Sequence, residues 1–276
     1  MVANRGADHA VSYETRDGRA YIVLRRPEKR NALTYAMLQR IVELIRLAED
    51  DDSVRVVLLK GEGQDFCAGQ DLTEVRSAYS RPSAGGEAPS QRARLQFDRR
   101  RLEQFRSLFY AAKPTIALVH GHCLGAGLSL VESTDLAVAT DDAVLGHPEQ
   151  RGNLAGAAYL TSWLMLTLGA RKAREMLLLA NSVSGAEAAR IGLVNCAVAP
   201  GELESVGEAW AERVVGLPRD AIAVGKAATH LALDSLGMTS QFVHGYLTHT
   251  LSTHVHREAD EIDTVPARFI SRRNVR

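Results

Sequence analysis

The sequence predicts an α/β fold, because strand-like and helix-like patterns alternate along its first half. Four short runs dominated by apolar residues are typical of buried strands in a parallel sheet. They are residues 20–24, 54–59, 115–119 and 136–139. Between the first two runs, residues 34–48 place Leu38, Ile41 and Ile45 at helical spacing. Strands that alternate with helices indicate helices layered on a mainly parallel sheet.

The last third of the chain is predicted to be largely helical. It contains five segments of helical character, separated by Gly and Pro residues that end helices. The segments are residues 159–168, 171–179, 186–191, 203–215 and 219–236, and the breaks are Gly169, Gly185, Gly201 and Pro218. No internal repeat recurs at a fixed period, which argues against solenoid and propeller architectures.

Residues 77–91 interrupt the pattern with Pro and Gly among Ser and Ala, a composition typical of a loop. A loop of this length is either a tolerated surface insertion or a lid that moves to admit substrate. The sequence favours the two interpretations equally.

The composition argues against several classes of protein. The 276 residues are 46% hydrophobic, enough for a sizeable core, and Lys plus Arg equal Asp plus Glu at 33 each, so no net charge directs the chain to nucleic acid or to an anionic membrane. The cysteines Cys67, Cys123 and Cys196 form no CxxC pair, which argues against a disulfide framework or a zinc site. We see no secretory signal, membrane span or dinucleotide fingerprint, and we expect a soluble cytoplasmic protein without a metal or redox cofactor.

Two glycine-containing loops follow predicted strands and are the first candidates for a functional site. Residues 66–72 follow the strand at 54–59, and residues 121–127 follow the strand at 115–119. Either loop alone is more typical of a tight turn into a buried helix than of a ligand site. If the two loops converge, one backbone N–H from each could bind a carbonyl oxygen as negative charge develops on it. Such a pair of donors is an oxyanion hole.

Several short motifs, taken together, resemble those of the crotonase (enoyl-CoA hydratase/isomerase) superfamily. In chain order they are R-P-E-K-R-N-A-L at 26–33, F-C-A-G-Q-D-L at 66–72, Lys113-Pro114, G-H-C-L-G-A-G at 121–127, Asp135 and His147-Pro148-Glu149. Their order and spacing match the superfamily over roughly residues 11–198, and the likeness continues weakly to the C-terminus. Chance reproduces several motifs in order far less readily than it reproduces one.

This resemblance implies a fold, a substrate and an assembly. The fold is a spiral of ββα turns formed by residues 1–218, followed by a C-terminal helical region, residues 219–276, that makes trimer contacts. The substrate is an acyl-CoA thioester, so coenzyme A arrives as part of the substrate and no separate cofactor is implied. The assembly is a homotrimer or a homohexamer.

The resemblance also assigns catalytic roles. The backbone N–H groups of Gln70 and Ala126 match the oxyanion hole, and Glu149 matches the catalytic acid/base. Ser129 stands where the two-carboxylate hydratases have a second Glu; a hydroxyl can orient a water but is a poor general base. Glu132, about one helical turn further, would reach the site only from a displaced position and is more typical of a paired or solvated helix end.

These roles leave several activities open. Hydration at the C2–C3 bond is preferred to double-bond isomerisation by Glu149 alone, and this preference rests on how common hydratases are in the superfamily. His122 and His147 flank the predicted site and would act as bases in a hydrolase, although packing roles are preferred for both. The remaining alternative is a CoA-binding paralogue without activity, which Ser129 motivates and Glu149 opposes.

Basic residues in two regions are predicted to bind the phosphates of coenzyme A. One region is the turn at residues 26–30, and the other is the C-terminal tail. With the residues of the first glycine-containing loop, the predicted CoA-binding set is Arg26, Lys29, Arg30, Ala68, Asp71, Leu72 and Arg272.

Overall fold

Two β-sheets form the framework of the computed structural model, which describes residues 9–79, 90–152 and 160–254. The strands are β1 (Val11–Arg16), β2 (Arg19–Leu24), β3 (Val56–Gly61), β4 (Thr115–Val119), β5 (His122–Leu124), β6 (Leu136–Thr140), β7 (Val144–Gly146), β8 (Ser182–Ser184) and β9 (Cys196–Val198). The larger sheet has the order β1-β2-β3-β4-β6-β9, in which only the β1–β2 pair is antiparallel. The smaller sheet has the order β5-β7-β8. All four predicted strands are confirmed in the larger sheet.

The helices follow the strands as the α/β class predicts. They are α1 (Tyr35–Asp50), α2 (Leu72–Tyr79), α3 (Gln91–Phe109), α4 (Ala126–Glu132), α5 (Thr161–Leu179), α6 (Gly185–Ile191), α7 (Leu203–Val215), α8 (Arg219–Ser235) and α9 (Met238–His254). The sequence pattern does not predict α3, because Arg94, Asp98 and Arg101 occupy buried positions of this helix and mask its apolar periodicity.

The predicted helix at residues 34–48 is confirmed as α1. It begins at the hydroxyl of Thr34, which accepts a hydrogen bond from the N–H of Met37 at 3.1 Å, and a cap of this kind stabilises a helix start by about 1 kcal/mol. Leu38, Ile41 and Ile45 are buried in the main core. The helical spacing in the sequence therefore marks the face that packs against the rest of the fold.

Strands β3 and β4 place the two glycine-containing loops side by side. They are parallel neighbours, with Val57 opposite Thr115 and Lys60 opposite Leu118, so their carboxyl ends reach the same edge of the sheet. After β4 the chain forms β5 in the smaller sheet and then α4, which is one ββα turn. Strand β6 continues into β7 in the same way and brings the segment after β7 next to the start of α4.

The C-terminal helices pack against the rest of the same chain. The buried ammonium of Lys226, on α8, donates to Asp135 Oδ2 and to the carbonyl oxygen of Lys113, both at 2.6 Å. On α9, the ring of Phe242 is buried, and its centroid lies 5.4 Å from that of Phe109. The division of the chain after residue 218 remains a prediction.

Two of the sequence predictions concern breaks in the regular secondary structure. Gly169 has a φ of 73° inside α5, so the predicted break separates two helical stretches that join end to end. Of the predicted loop at residues 77–91, residues 80–89 lie outside the described residues, and the three residues before them belong to α2. Among the described helices, we find none that is long and apolar enough to span a bilayer.

Candidate active site

The two glycine-containing loops lie side by side and are hydrogen-bonded to each other. Cys67 and Cys123 form an isolated parallel bridge between them, in which the N–H of Cys67 donates to the carbonyl oxygen of His122 at 2.9 Å. The N–H of Leu124 in turn donates to the carbonyl oxygen of Cys67 at 3.0 Å. Both cysteine side chains are buried, and burial raises the pKa of each thiol, so these residues are packing groups and not nucleophiles.

The first loop presents the N–H of Gln70. Leu33 donates its N–H to the carbonyl oxygen of Gly69 at 2.8 Å and accepts the N–H of Asp71 at 2.8 Å. In a parallel bridge of this kind, the residue between the two partners directs its own N–H and C=O away. Within the described residues, no backbone carbonyl accepts a hydrogen bond from the N–H of Gln70.

The second loop presents the N–H of Ala126, the first residue of α4. A Cβ atom on Gly69 would lie 4.0 Å from this nitrogen, which places the two loops in direct contact. A Cβ on Gly127 would lie 2.5 Å from the carbonyl oxygen of Cys67, so only Gly permits this approach. In the described part of the chain, the N–H of Ala126 makes no backbone hydrogen bond, as is usual in the first turn of a helix.

Glu149 lies beside this helix start. The N–H of Gly125 donates to the carbonyl oxygen of Gly146 at 2.9 Å, and the short turn Glu149–Gly152 follows. The carboxylate of Glu149 approaches Gly125 so closely that a Cβ on Gly125 would lie 3.1 Å from Oε1. The other oxygen, Oε2, is buried and has no hydrogen-bond partner among the described residues. The predicted acid/base therefore adjoins the predicted donors and has one carboxylate oxygen uncommitted.

A buried histidine connects Glu149 to a second carboxylate. Nδ1 of His147 lies 3.4 Å from Glu149 Oε1, and Nε2 lies 3.2 Å from both oxygens of Glu132. His147 is 0% exposed, and the Glu132 side chain is 2% exposed. Burial alone lowers the pKa of His147, but the two carboxylates outweigh it and raise this pKa to about 10.

Glu132 is the last residue of α4. Ser129 lies three residues earlier on the same helix and is also buried. Glu132 is paired, as is typical of a helix-end carboxylate, but its partner His147 is itself in contact with Glu149. A packing role alone therefore does not account for His147, because its ring contacts two carboxylates. Glu132 and His147 are far apart in the sequence, so no local sequence pattern predicts this contact.

His122 occupies a different environment. Its Nδ1 lies 2.6 Å from Asp65 Oδ1, and its backbone N–H donates to the same oxygen at 2.8 Å. Burial alone raises the pKa of Asp65, but hydrogen bonds from His122 and the charge of Arg30 lower it overall. Asp65 and His122 therefore form a second acid–histidine pair.

The predicted CoA-binding residues fall into two groups. Arg26 and Asp71 form an ion pair, with Nη2 3.1 Å from Oδ2, and Arg26 also donates to the carbonyl oxygen of Ala32. Lys29 and Arg30 are exposed on the same turn. Ala68 is half-buried, Leu72 is exposed at the start of α2, and Arg272 lies outside the described residues. Lys29 and Arg30 are thus the exposed cations of this set among the described residues, and Arg30 Nε also lies 3.8 Å from Asp65 Oδ2.

Comparisons with known proteins agree with this architecture. A family model described as enoyl-CoA hydratase/isomerase matches residues 14–268. The hydroxycinnamoyl-CoA hydratase-lyase of Pseudomonas fluorescens is 31% identical over 206 residues, which are 75% of this chain and 72% of that protein. The crystal structure of an enoyl-CoA hydratase/isomerase from Xanthobacter autotrophicus Py2 matches with a TM-score of 0.80 and 30% identity, over 88% of this chain and 87% of that chain.

A crystal structure of enoyl-CoA hydratase from Mycobacterium smegmatis matches with a TM-score of 0.79 and 30% identity, over 89% of this chain and 85% of that chain. The family model spans nearly the whole sequence, and these solved structures share the fold. The chain therefore belongs to the enoyl-CoA hydratase/isomerase family of the crotonase superfamily.

Proposed function

We propose that this member of the family is an enoyl-CoA hydratase, which adds water across the C2–C3 double bond of a 2-enoyl-CoA. One observation carries the proposal: Glu149, whose buried Oε2 has no partner among the described residues, lies with Oε1 beside Gly125, in the loop that presents the N–H of Ala126. A base next to oxyanion donors is the arrangement that an enolate mechanism requires. The name of the Pseudomonas fluorescens relative, a hydratase-lyase, also supports hydration.

In this mechanism, the N–H groups of Gln70 and Ala126 bind the thioester oxygen. Glu149 Oε2 takes a proton from a water molecule while the water oxygen bonds to C3, and the electron pair of the double bond moves through C2 to the thioester oxygen. Glu149 then returns the proton to C2 as the carbonyl re-forms. One water is added and Glu149 ends as it began. Each preorganised donor stabilises the enolate-like transition state by about 3 kcal/mol.

A second candidate is double-bond isomerisation, and the absence of a carboxylate at Ser129 favours it. Glu132 does not replace that carboxylate directly, because both of its oxygens face His147. Glu149 alone would take a proton from C2 of a 3-enoyl-CoA and return it to C4. The same oxyanion donors would bind the intermediate enolate.

The hydrolase alternative has less support. His147 is fully buried, and both of its ring nitrogens face carboxylates, so neither is open to a substrate or a water. The Nδ1 of His122 pairs with Asp65, so Nε2 is the ring nitrogen of His122 that could act as a base. A hydrolase mechanism would therefore depend on His122 alone.

Product analysis distinguishes these activities. We would incubate the purified protein with crotonyl-CoA, a 3-enoyl-CoA, a hydroxycinnamoyl-CoA and a saturated acyl-CoA, and follow the products by mass spectrometry. Hydration adds the mass of one water, and hydrolysis releases free CoA. Isomerisation leaves the mass unchanged but brings the double bond into conjugation with the thioester, which ultraviolet absorbance detects. We expect hydration of at least one 2-enoyl-CoA. Binding of all four thioesters without turnover would instead identify an inactive CoA-binding paralogue.

A further inference from the structure

We propose that His147, held by Glu132, is the positioning residue for Glu149. In this arrangement His147 donates a hydrogen bond from Nδ1 to Oε1 of Glu149 and fixes the carboxylate so that Oε2 faces the substrate. The inference rests on the function proposed above, because it assigns Glu149 a chemical role. It assigns to His147 and Glu132 a buried electrostatic contact with Glu149, which the uncharged side chain of Ser129 does not supply.

Two protons on the ring satisfy this geometry when both carboxylates are ionised. Nε2 lies 3.2 Å from both oxygens of Glu132, and Nδ1 lies 3.4 Å from Glu149 Oε1. A neutral imidazole has only one N–H and would turn a lone pair toward one of the carboxylates. A protonated ring donates to both. The cluster of two carboxylates and one imidazolium then has a net charge of −1.

Glu132 acts in this cluster only through the ring. Its side chain is 2% exposed, and both of its oxygens are directed at Nε2, so it cannot also contact a bound thioester. Among the described residues, the titratable groups in or next to this cluster are Glu132 from α4, Glu149 from the turn after β7 and the buried thiol of Cys123 from β5. Removing the negative charge of Glu132 therefore acts directly on the protonation of His147.

The sign of the pH dependence follows from this charge. Two carboxylates raise the pKa of His147 to about 10, so the Nδ1–H donation is present below that pH and is lost as the pH rises through it. In Glu132→Gln the amide still accepts from Nε2–H, but one of the two negative charges is gone. The donation should then be lost at a pH lower by about 1–3 units, the usual effect of one neighbouring charge.

The first experiment compares pH profiles of kcat/KM for the wild type and Glu132→Gln. We expect the alkaline loss of activity to move down by about 1–3 pH units in the variant, with the KM at pH 7 unchanged. The matched control is Asp65→Asn, which removes the acid of the other acid–histidine pair and should leave the alkaline limb in place. An unmoved limb in Glu132→Gln, or the same shift in both variants, overturns the proposal.

The second experiment separates positioning from packing. The amide nitrogen of Asn at position 147 can take the place of Nδ1, whereas that of Gln can take the place of Nε2. We expect His147→Asn to keep kcat within about tenfold of the wild type and His147→Gln to lose about 10²-fold, with little change in KM in either, since only the first retains a donor to Glu149. Equal losses in two variants of equal thermal stability would show that the ring only fills space.

A measurement without substrate keeps this inference distinct from the proposed function. The ring signals of His147 in isotope-labelled protein, assigned with His147→Asn, report its protonation by NMR. We expect the ring to titrate near pH 10 in the wild type and at lower pH in Glu132→Gln. If the wild type turns over no enoyl-CoA, the proposed function fails, while this titration still decides the hydrogen bonding. A ring that titrates at the same pH in both proteins overturns the inference.

Discussion

The carboxylate of Glu149 packs directly against Gly125, so that a methyl group on Gly125 would lie 3.1 Å from Oε1. Gly125 also has φ 51° and ψ −119°, a backbone conformation that residues with a side chain rarely adopt. The close contact and the backbone conformation of Gly125 together fix the start of α4 relative to the predicted base. They explain the glycine at this position without reference to the substrate.

We therefore predict that Gly125→Ala moves Glu149 and strains the start of α4. Because a displacement of about 1 Å at a catalytic group can reduce the rate about 10²-fold, we expect a loss of this size in kcat for an enoyl-CoA. Gly201→Ala is the control, since a Cβ there meets nothing within 4 Å. Steady-state kinetics of both proteins check the prediction, and equal activity of Gly125→Ala and the wild type would contradict it.

Glu149 and Ser129 are predicted to differ sharply in importance. Glu149→Gln keeps the shape and the hydrogen-bonding reach but removes the base, so turnover should fall by about 10²–10⁴-fold while the ligand still binds. Ser129→Ala should cost much less if Glu149 works alone. A large loss in Ser129→Ala would show that its hydroxyl orients a water and would favour hydration. Near-wild-type turnover of Glu149→Gln would refute the mechanism.

The N–H of Ala126 can be removed without changing a functional side chain. Ala126 is the first residue of α4, where Pro fits a helix because the N–H has no helical partner. Ala126→Pro should reduce kcat by about 10²–10³-fold, the usual cost of one oxyanion donor. Ala126→Ser retains the N–H and serves as the control. If the two proteins show the same kcat and the same thermal stability, the N–H is not an oxyanion donor.

The sequence predicts the two loops better than it predicts the contacts beneath them. Gly and Asn are frequent in turns, and Asn31 illustrates this: it has a φ of 54° and donates from Nδ2 to the carbonyl oxygens of Glu62 and Asp65. The contact between Glu132 and His147 depends instead on how the end of α4 packs on the segment after β7. No local pattern encodes that packing, so only the structure identifies the pair.

Arg26 and Lys29 illustrate the same limit for the predicted CoA site. Both lie in one basic turn, and the sequence treats them alike. In the structure, the Arg26 guanidinium is half-buried against Asp71, whereas Lys29 is exposed. Charge alone therefore predicts the region of a phosphate site, while burial decides which cations remain open to a ligand.

We predict that Arg26 affects stability and that Lys29 and Arg30 affect binding. Arg26→Gln leaves the carboxylate of Asp71 without its ion partner and should lower the free energy of unfolding by roughly 1–3 kcal/mol. Lys29→Gln combined with Arg30→Gln should raise KM for a CoA ester by about tenfold, and should not change KM for a pantetheine ester that lacks the nucleotide phosphates. Thermal melts and kinetics with both esters check this. An equal rise in KM for the two esters would exclude phosphate contacts.

The Arg26–Asp71 pair also predicts a pH dependence. Burial alone raises the pKa of Asp71, but hydrogen bonds from Thr73 and the Arg26 guanidinium lower it overall. A carboxylate whose pKa is lower in the folded state stabilises the fold above its unfolded pKa, and this contribution is lost as the pH falls through its folded pKa. Asp71→Asn should therefore reduce the acid dependence of stability, measured as the melting temperature from pH 7 down to pH 3. An unchanged slope would contradict this assignment.

The outer face of α8 provides a test of the expected assembly. Val224 and Leu231 are each 69% exposed and lie seven residues apart, so they share one face of the helix. Lys226, two residues after Val224, points to the opposite side and binds α8 to the core through Asp135. The helix is thus anchored by one face and presents an apolar stripe on the other, as is typical of an interface.

We therefore predict that the chain forms a trimer or a hexamer of identical subunits and that α8 contributes to its interface. The double change Val224→Asp and Leu231→Asp places two charges on the stripe without disturbing Lys226, so the assembly should dissociate while the monomer keeps its fold. Light scattering with size-exclusion chromatography measures the mass, and circular dichroism checks the fold. Leu47→Asp, at an exposed apolar residue of α1, is the control and should leave the mass unchanged. A wild-type protein that is monomeric at micromolar concentration would refute the assembly, and a double variant that retains the wild-type mass would exclude α8 from the interface.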